Sequence, residues 1–348
     1  MVTSLIAGPL AGLLVGPVAG PLAGPLAGPL AGPVAGPLAG PLAGPVAGAL
    51  TAPLASGLSW NLDSDFRQLL LYPFMVNAFR AGTIVAIVAG ALGWFMVLRR
   101  QSFAGHTLAV VSFPGAAGAI LLGISATAGY FTAAIVAAIV IAAVPRSLGG
   151  RARSSESAVI GTVQAFALAL GALFVSLYGG FLDGLTNLLF GSFLGISPGQ
   201  VLTLLVVGIA ALAMLAAIGR PLFFATVDPD VAAARGVPVR LLSTVFLILL
   251  GCAAAEVSQI TGALLVFALL VMPAATAQQL TARPAVSLAI TMVLGLLIVW
   301  LGLAAAYYSV YPVGFFITTF GFAAYVLVAG SRQVAARVRV VRLKAMLA

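Results

Sequence analysis

The sequence predicts an all-α, polytopic membrane helix bundle of about nine spans. Three observations predict it. Of 348 residues, 62% are hydrophobic and only 7% charged, with mean hydropathy +1.21. A soluble domain carries about a quarter charged residues, so this chain has too little polar surface to wrap a water-soluble globule. From residue 74 onward the apolar residues form successive runs, each near the roughly 20 residues a helix needs to cross a bilayer. The basic residues gather in the short segments between those runs, where the positive-inside rule puts them.

The expected spans lie near 74–98, 106–124, 127–144, 157–178, 199–219, 241–257, 260–277, 285–307 and 312–330. The stretch 181–197, around LLFGSFLGIS, is short and broken by glycine, and reads as a re-entrant or interfacial piece. Nine crossings with a cytoplasmic C-terminus put 99–105, 146–155, the polar loop 220–240, 278–284 and the tail on one side. Fourteen of the sixteen basic residues then lie inside, and only Arg67 and Arg80 fall toward the outer end of the first span. Fusing the sixth and seventh spans would break that partition. The expected organisation is a tail and linker over 1–72 outside, a transmembrane domain over 73–330, and a basic cytoplasmic tail over 331–348.

Residues 8–48 repeat AGPL and AGPV tetrapeptides. Proline at every fourth position removes amide donors and clashes with the preceding turn, so this tract cannot span lipid with its backbone satisfied. It reads as an irregular, polyproline-like tail, or as translated repeat sequence upstream of the true start. No chemistry is assigned to it.

Several function classes are excluded by composition. The net charge of +9 is not packed on one face with stacking aromatics, which argues against nucleic acid as a partner. There is no phosphate-binding G-x-x-x-x-G-K-[ST], and the only lysine is Lys344. His106 is the only histidine and Cys252 the only cysteine, which leaves no disulfide framework and no zinc-protease signature. No enzyme activity is expected of this chain.

The most informative hydrophilic stretch is DPDVAAARGVPV, from Asp228. Asp228 is placed to cap a short helix, with Asp230 in its first turn favourable to the dipole. Ala232 to Ala234 propagate the helix, Arg235 suits its last turn, and Gly236 can terminate it.

The run FMVNAFRAGTIVAIVAGALGWFMVLRRQSFAGHTLAVVSFPGAAGAI (74–120) resembles the opening of zinc/manganese-type ABC importer permeases, in which a basic pair precedes Ser-x-x-Gly-Asp/His-x-Leu-x-His. GALLVFALLVMPAATAQQL (262–280) is similar to that family's G-x-L-L segment ending P-A-A-T-A. Asp228, Ala232 and Gly236 match its D-x-x-x-A-x-x-x-G coupling helix. The resemblance covers about 72–330. It implies a cobalamin-importer-type ABC permease in the cell membrane, present in two copies, with an ABC ATPase subunit below and an extracellular solute-binding protein above. It also implies a divalent metal ion, zinc or manganese, as cargo, with no cofactor bound by this chain. Asp228, Asp230, Ala232, Arg235 and Gly236 would form the ATPase-coupling helix.

One position departs from the family. The resemblance implies an acidic residue or histidine, then a histidine one turn on, as paired ligands for a divalent ion. Here the two positions hold His106 and Val110. Glu256 is the only acidic residue placed within a span, where a charge costs about 2.5–3.5 kcal/mol on insertion scales. With Ser258 and Gln259 it forms a polar patch near the outer end of the sixth span, lining the path or wetted by outer solvent. His106, Glu256, Ser258 and Gln259 are the candidate path residues, with His106 and Glu256 the candidate metal ligands. Pro273 is expected to interrupt the seventh span, as a hinge or as ordinary packing. A permease for a metal chelate and an ion-coupled secondary transporter are the alternative functions.

Overall fold

The computed structural model describes residues 69–143, 152–177, 195–262, 265–309 and 311–347. Among these, the chain is helical without a strand. The helices are α1 (Pro73–Leu98), α2 (Ser102–Leu121), α3 (Ala126–Ala143), α4 (Ala152–Leu177), α5 (Pro198–Val227), α6 (Pro229–Ala234), α7 (Val239–Thr261), α8 (Val266–Leu280), α9 (Pro284–Tyr307) and α10 (Val313–Leu347). The repeat tract, Arg146, Arg151 and most of the expected re-entrant piece lie outside the described residues.

Eight helices are long and apolar enough to cross a bilayer. The expected seventh span is α8, which has 15 residues and reaches about 22 Å, short of the ~30 Å hydrocarbon core. The shortening has a local cause. Gly262 ends α7 at φ +77°, and α8 begins only at Val266, with Leu265 as its N-cap residue. Non-helical backbone at membrane depth is tolerated only where protein covers it, and Thr261, Gly262 and Val266 are buried. The sixth and seventh spans are thus separate helices, as the charge partition requires.

Three boundaries differ from expectation. α5 runs to Val227, so Arg220 belongs to the helix rather than to the following loop. α4 starts at Ala152 and takes Arg153 into helical backbone. α10 continues to Leu347, so the tail after residue 330 prolongs the last helix instead of leaving it. Its Val313–Ala335 portion is the membrane-length segment. Pro273 does not break α8 either; the helix continues through it to Leu280.

α1, α2 and α7 form the centre, each with 72% of its membrane window buried, against 17% for α4 and α10 and 22% for α5. In lipid no hydrophobic force separates helix from solvent, so association rests on close packing, and small residues allow it. A Cβ added at Gly93 would run into the carbonyl of Leu270, joining α1 to α8 without a spacer. Gly115 and Gly129 do the same reciprocally between α2 and α3, and a Cβ at Gly251 would lie 3.0 Å from Ala134 O, bringing α7 onto α3.

Polar ties lie between these contacts. Trp94 Nε1 donates to Ser287 Oγ at 2.9 Å and Gln278 Nε2 donates to Trp94 O at 3.0 Å, joining α1, α9 and α8. Thr107 Oγ1 donates to Gln164 Oε1 at 2.9 Å, between α2 and α4.

Candidate functional site

Glu256 lies in the last two turns of α7. It is fully buried on α7, and neither carboxylate oxygen has a hydrogen-bond partner. The solvent-wetted interfacial reading therefore does not hold. The neighbouring surface is made by a residue without a side chain: a Cβ on Gly208 of α5 would lie 3.1 Å from Glu256 Oε1 and 3.0 Å from Val88 Cγ2 of α1. Gly208 thus leaves the carboxylate its space where α1, α5 and α7 meet. Charged groups within a membrane normally face a partner or a cavity, which makes the unpartnered Glu256 the outstanding candidate site residue on α7.

Around it the polar patch splits. Ser258 is buried and its Oγ has no partner. Gln259 is half-buried; its Oε1 accepts from Thr127 Oγ1 of α3 at 3.1 Å. It also lines a cavity of about 100 Å³ with Gln200 and Leu204 of α5 and with Ile196. Glu256 and Gln259 are three residues apart on α7, and Leu204 and Gly208 four apart on α5, so each pair shares a helix face. The cavity therefore lies one turn along both helices from the carboxylate.

His106 is in the second turn of α2. Its Nδ1 is buried without a partner, and its ring meets Phe267 of α8 edge-on at 5.1 Å between centroids. Val110, one turn on, is buried and offers no ligand atom. Among the described residues no group of three or more His, Cys, Asp or Glu side chains forms a metal-holding cluster. The carboxylate of Glu256 and Nδ1 of His106 are thus separate buried polar groups without a hydrogen-bond partner.

The second candidate element is α6. Asp228 Oδ1 accepts from Val231 N at 3.0 Å, Pro229 fills the first position, and Asp230 stands in the first turn. Arg235 is the C-cap residue rather than part of the last turn. Gly236 follows at φ +80°, a conformation that costs residues with a Cβ roughly 1–2 kcal/mol. Ala232 is the one buried residue of the helix and anchors it to the core. Val231, Ala233, Ala234 and Arg235 remain exposed, as do Asp228 and Asp230. Hence α6 is a short, mostly exposed helix with Ala232 turned to the core.

Comparison with known proteins gives this geometry its context. The model of the ABC 3 transport family matches residues 71–331. The chain belongs to the ABC 3 transport family. It is accordingly a multi-pass membrane permease. It is 30% identical over 250 residues to the manganese transport system membrane protein MntC of Halalkalibacterium halodurans, covering 72% of this chain and 83% of the relative. It is 34% identical over 221 residues to the chelated iron transport system membrane protein YfeC of Yersinia pestis, covering 62% and 73%. The solved structure of PsaBC from Streptococcus pneumoniae in complex with Fab superposes with TM-score 0.68 at 25% identity, covering 77% of this chain and 95% of that one.

Sequence reasoning found Glu256 and the capping pattern of α6 but missed Gly208 and Thr127. Gly208 is legible only as one of many glycines in an apolar run. Its role follows from a contact 48 residues away in sequence.

Proposed function

We propose that this chain is the membrane-spanning subunit of an ATP-driven importer of a divalent metal ion, manganese foremost and zinc next. The observation that carries the reading is Glu256: a fully buried carboxylate without a hydrogen-bond partner, in a family whose relatives include named manganese transporters. An unpaired buried charge is costly, and a passing cation offsets that cost each cycle. A carboxylate suits manganese, and imidazole extends the range to zinc. His106 and Glu256 are the proposed contacts for the ion, and Ser258 and Gln259 further oxygen donors along the path.

Energy comes from outside the chain. In this reading α6 seats in a groove of an ABC ATPase subunit, two permease copies enclose the path, and an extracellular solute-binding protein delivers the ion. The N-terminus is outside and the C-terminus cytoplasmic, which places α6 on the cytoplasmic face. The test is complementation. Expressed with its partners in a host stripped of manganese import, the chain should restore growth in manganese-limited medium. Restoration by a ferric chelate but not by manganese would instead favour a chelate permease, the reading that Val110 in place of a ligand supports.

The coupling assignment is tested separately. Asp228→Ala removes a cap worth about 1 kcal/mol, and Gly236→Val strains the backbone at the helix end. Both variants are expected to insert normally and to show weakened stimulation of ATP hydrolysis by the loaded solute-binding protein. Normal stimulation in both would remove α6 from the coupling role.

A further inference from the structure

Arg99 closes α1 and is the first half of the basic pair before α2. Its side chain reaches two helices distant in sequence. Nη1 donates to Thr226 Oγ1 at 3.0 Å, in the last turn of α5, and Nη2 donates to Ser243 Oγ at 2.8 Å, in the first turns of α7. Nε donates to Gln101 Oε1 at 3.2 Å, and the guanidinium carbon lies 5.3 Å from the centre of the Phe246 ring. Thr226 and Ser243 are the hydroxyl residues that bracket α6, on the helix entering it and the helix leaving it.

We propose that Arg99 is a positioning residue for coupling: its planar guanidinium bolts both helices that carry α6 to the end of α1, so that a push on α6 moves α5, α7 and α1 together. This rests on the reading of α6 as the ATPase-contacting helix. The chemistry favours arginine over lysine. A rigid fork with several donors satisfies two hydroxyls at once while stacking on an aromatic face, whereas an ammonium is a single point charge. Ser243 is buried, so an acceptor left without its donor there is a real loss. Ala232 is the one buried residue of α6, and the helix is joined to the bundle through the two flanking helices that carry Thr226 and Ser243. α1 in turn carries Val88, which stands with Glu256 around Gly208. The Arg99 tie therefore joins the ends of all three helices that meet at the buried carboxylate, α1, α5 and α7.

The experiment uses the complete transporter in liposomes, comparing basal ATP hydrolysis with hydrolysis stimulated by the solute-binding protein. Arg99→Met is expected to keep basal hydrolysis and lose stimulation about tenfold. Arg99→Lys should recover only part of it. The double variant Thr226→Val/Ser243→Ala leaves the arginine in place, removes both acceptors and should reproduce the loss; it carries the test should Arg99→Met not assemble. Full stimulation in that double variant, or full rescue by Arg99→Lys, overturns the proposal, because a positive charge alone would then suffice. An unstimulated wild-type complex would instead refute the α6 reading on which the proposal rests, and the proposal with it.

Discussion

Glu256→Gln is expected to reduce metal uptake to the level of liposomes lacking the permease, without harming the fold. Glutamine keeps the shape and removes the charge. The native carboxylate is fully buried without a hydrogen-bond partner, so its replacement removes a charge whose insertion costs about 2.5–3.5 kcal/mol and leaves the smaller cost of a neutral amide. The variant should therefore unfold at a temperature equal to or above wild type. Uptake of the radioactive ion and thermal unfolding in detergent read the two effects independently. Loss of activity accompanied by loss of stability would make Glu256 structural. Loss of activity with retained or raised stability identifies it as a group kept for function at a cost in stability.

Gly93→Ala should have the opposite profile. The added methyl meets the main-chain carbonyl of Leu270, which cannot rotate away as a side chain can. α1 and α8 must separate, and overpacking of this kind costs typically 1–3 kcal/mol. The consequences should exceed those of an ordinary core change, because α1 is a central helix and its face against α8 is held by direct backbone approach. A matched control lies in α10: a Cβ at Gly330 meets nothing within 4 Å. Gly330→Ala is expected to be neutral or mildly stabilising through helix propensity. Thermal melting of the two variants in the same detergent makes the comparison. Equal melting temperatures would show that the α1–α8 contact is not tight.

Much of this architecture was legible in the sequence because lipid imposes few solutions. Apolar length and the placement of arginines were enough to find the helices and to keep α7 and α8 apart. α6 was legible for a different reason: Asp228, Pro229 and Gly236 each carry a local backbone preference that needs no tertiary context. The boundaries that failed have a common cause. Arg220 was read as loop because a charge ends an apolar run, yet arginine is a good helix former and α5 carries it for two further turns. The expectation of a basic tail after 330 carries no backbone prediction, and α10 continues through those residues as helix. Pro273 was read as an interruption, whereas α8 runs on past it.

The site was legible only in part. Glu256 announces itself as a lone acid in an apolar span, but its surroundings depend on Gly208 and Val88, which no local pattern marks. Arg99 was counted as a topological charge, and its partners Thr226 and Ser243 lie 127 and 144 residues away. Spacing along one chain cannot reveal a fork that joins three helices.

The most direct test of the central claim is ATP-dependent uptake by the purified transporter in liposomes, with ATPase and solute-binding protein present, for manganese and zinc in parallel. The account predicts accumulation of manganese, or of zinc, that requires ATP inside the cytoplasmic compartment and disappears in Glu256→Gln. Accumulation of neither ion by a complex that hydrolyses ATP, or undiminished accumulation by Glu256→Gln, would contradict it.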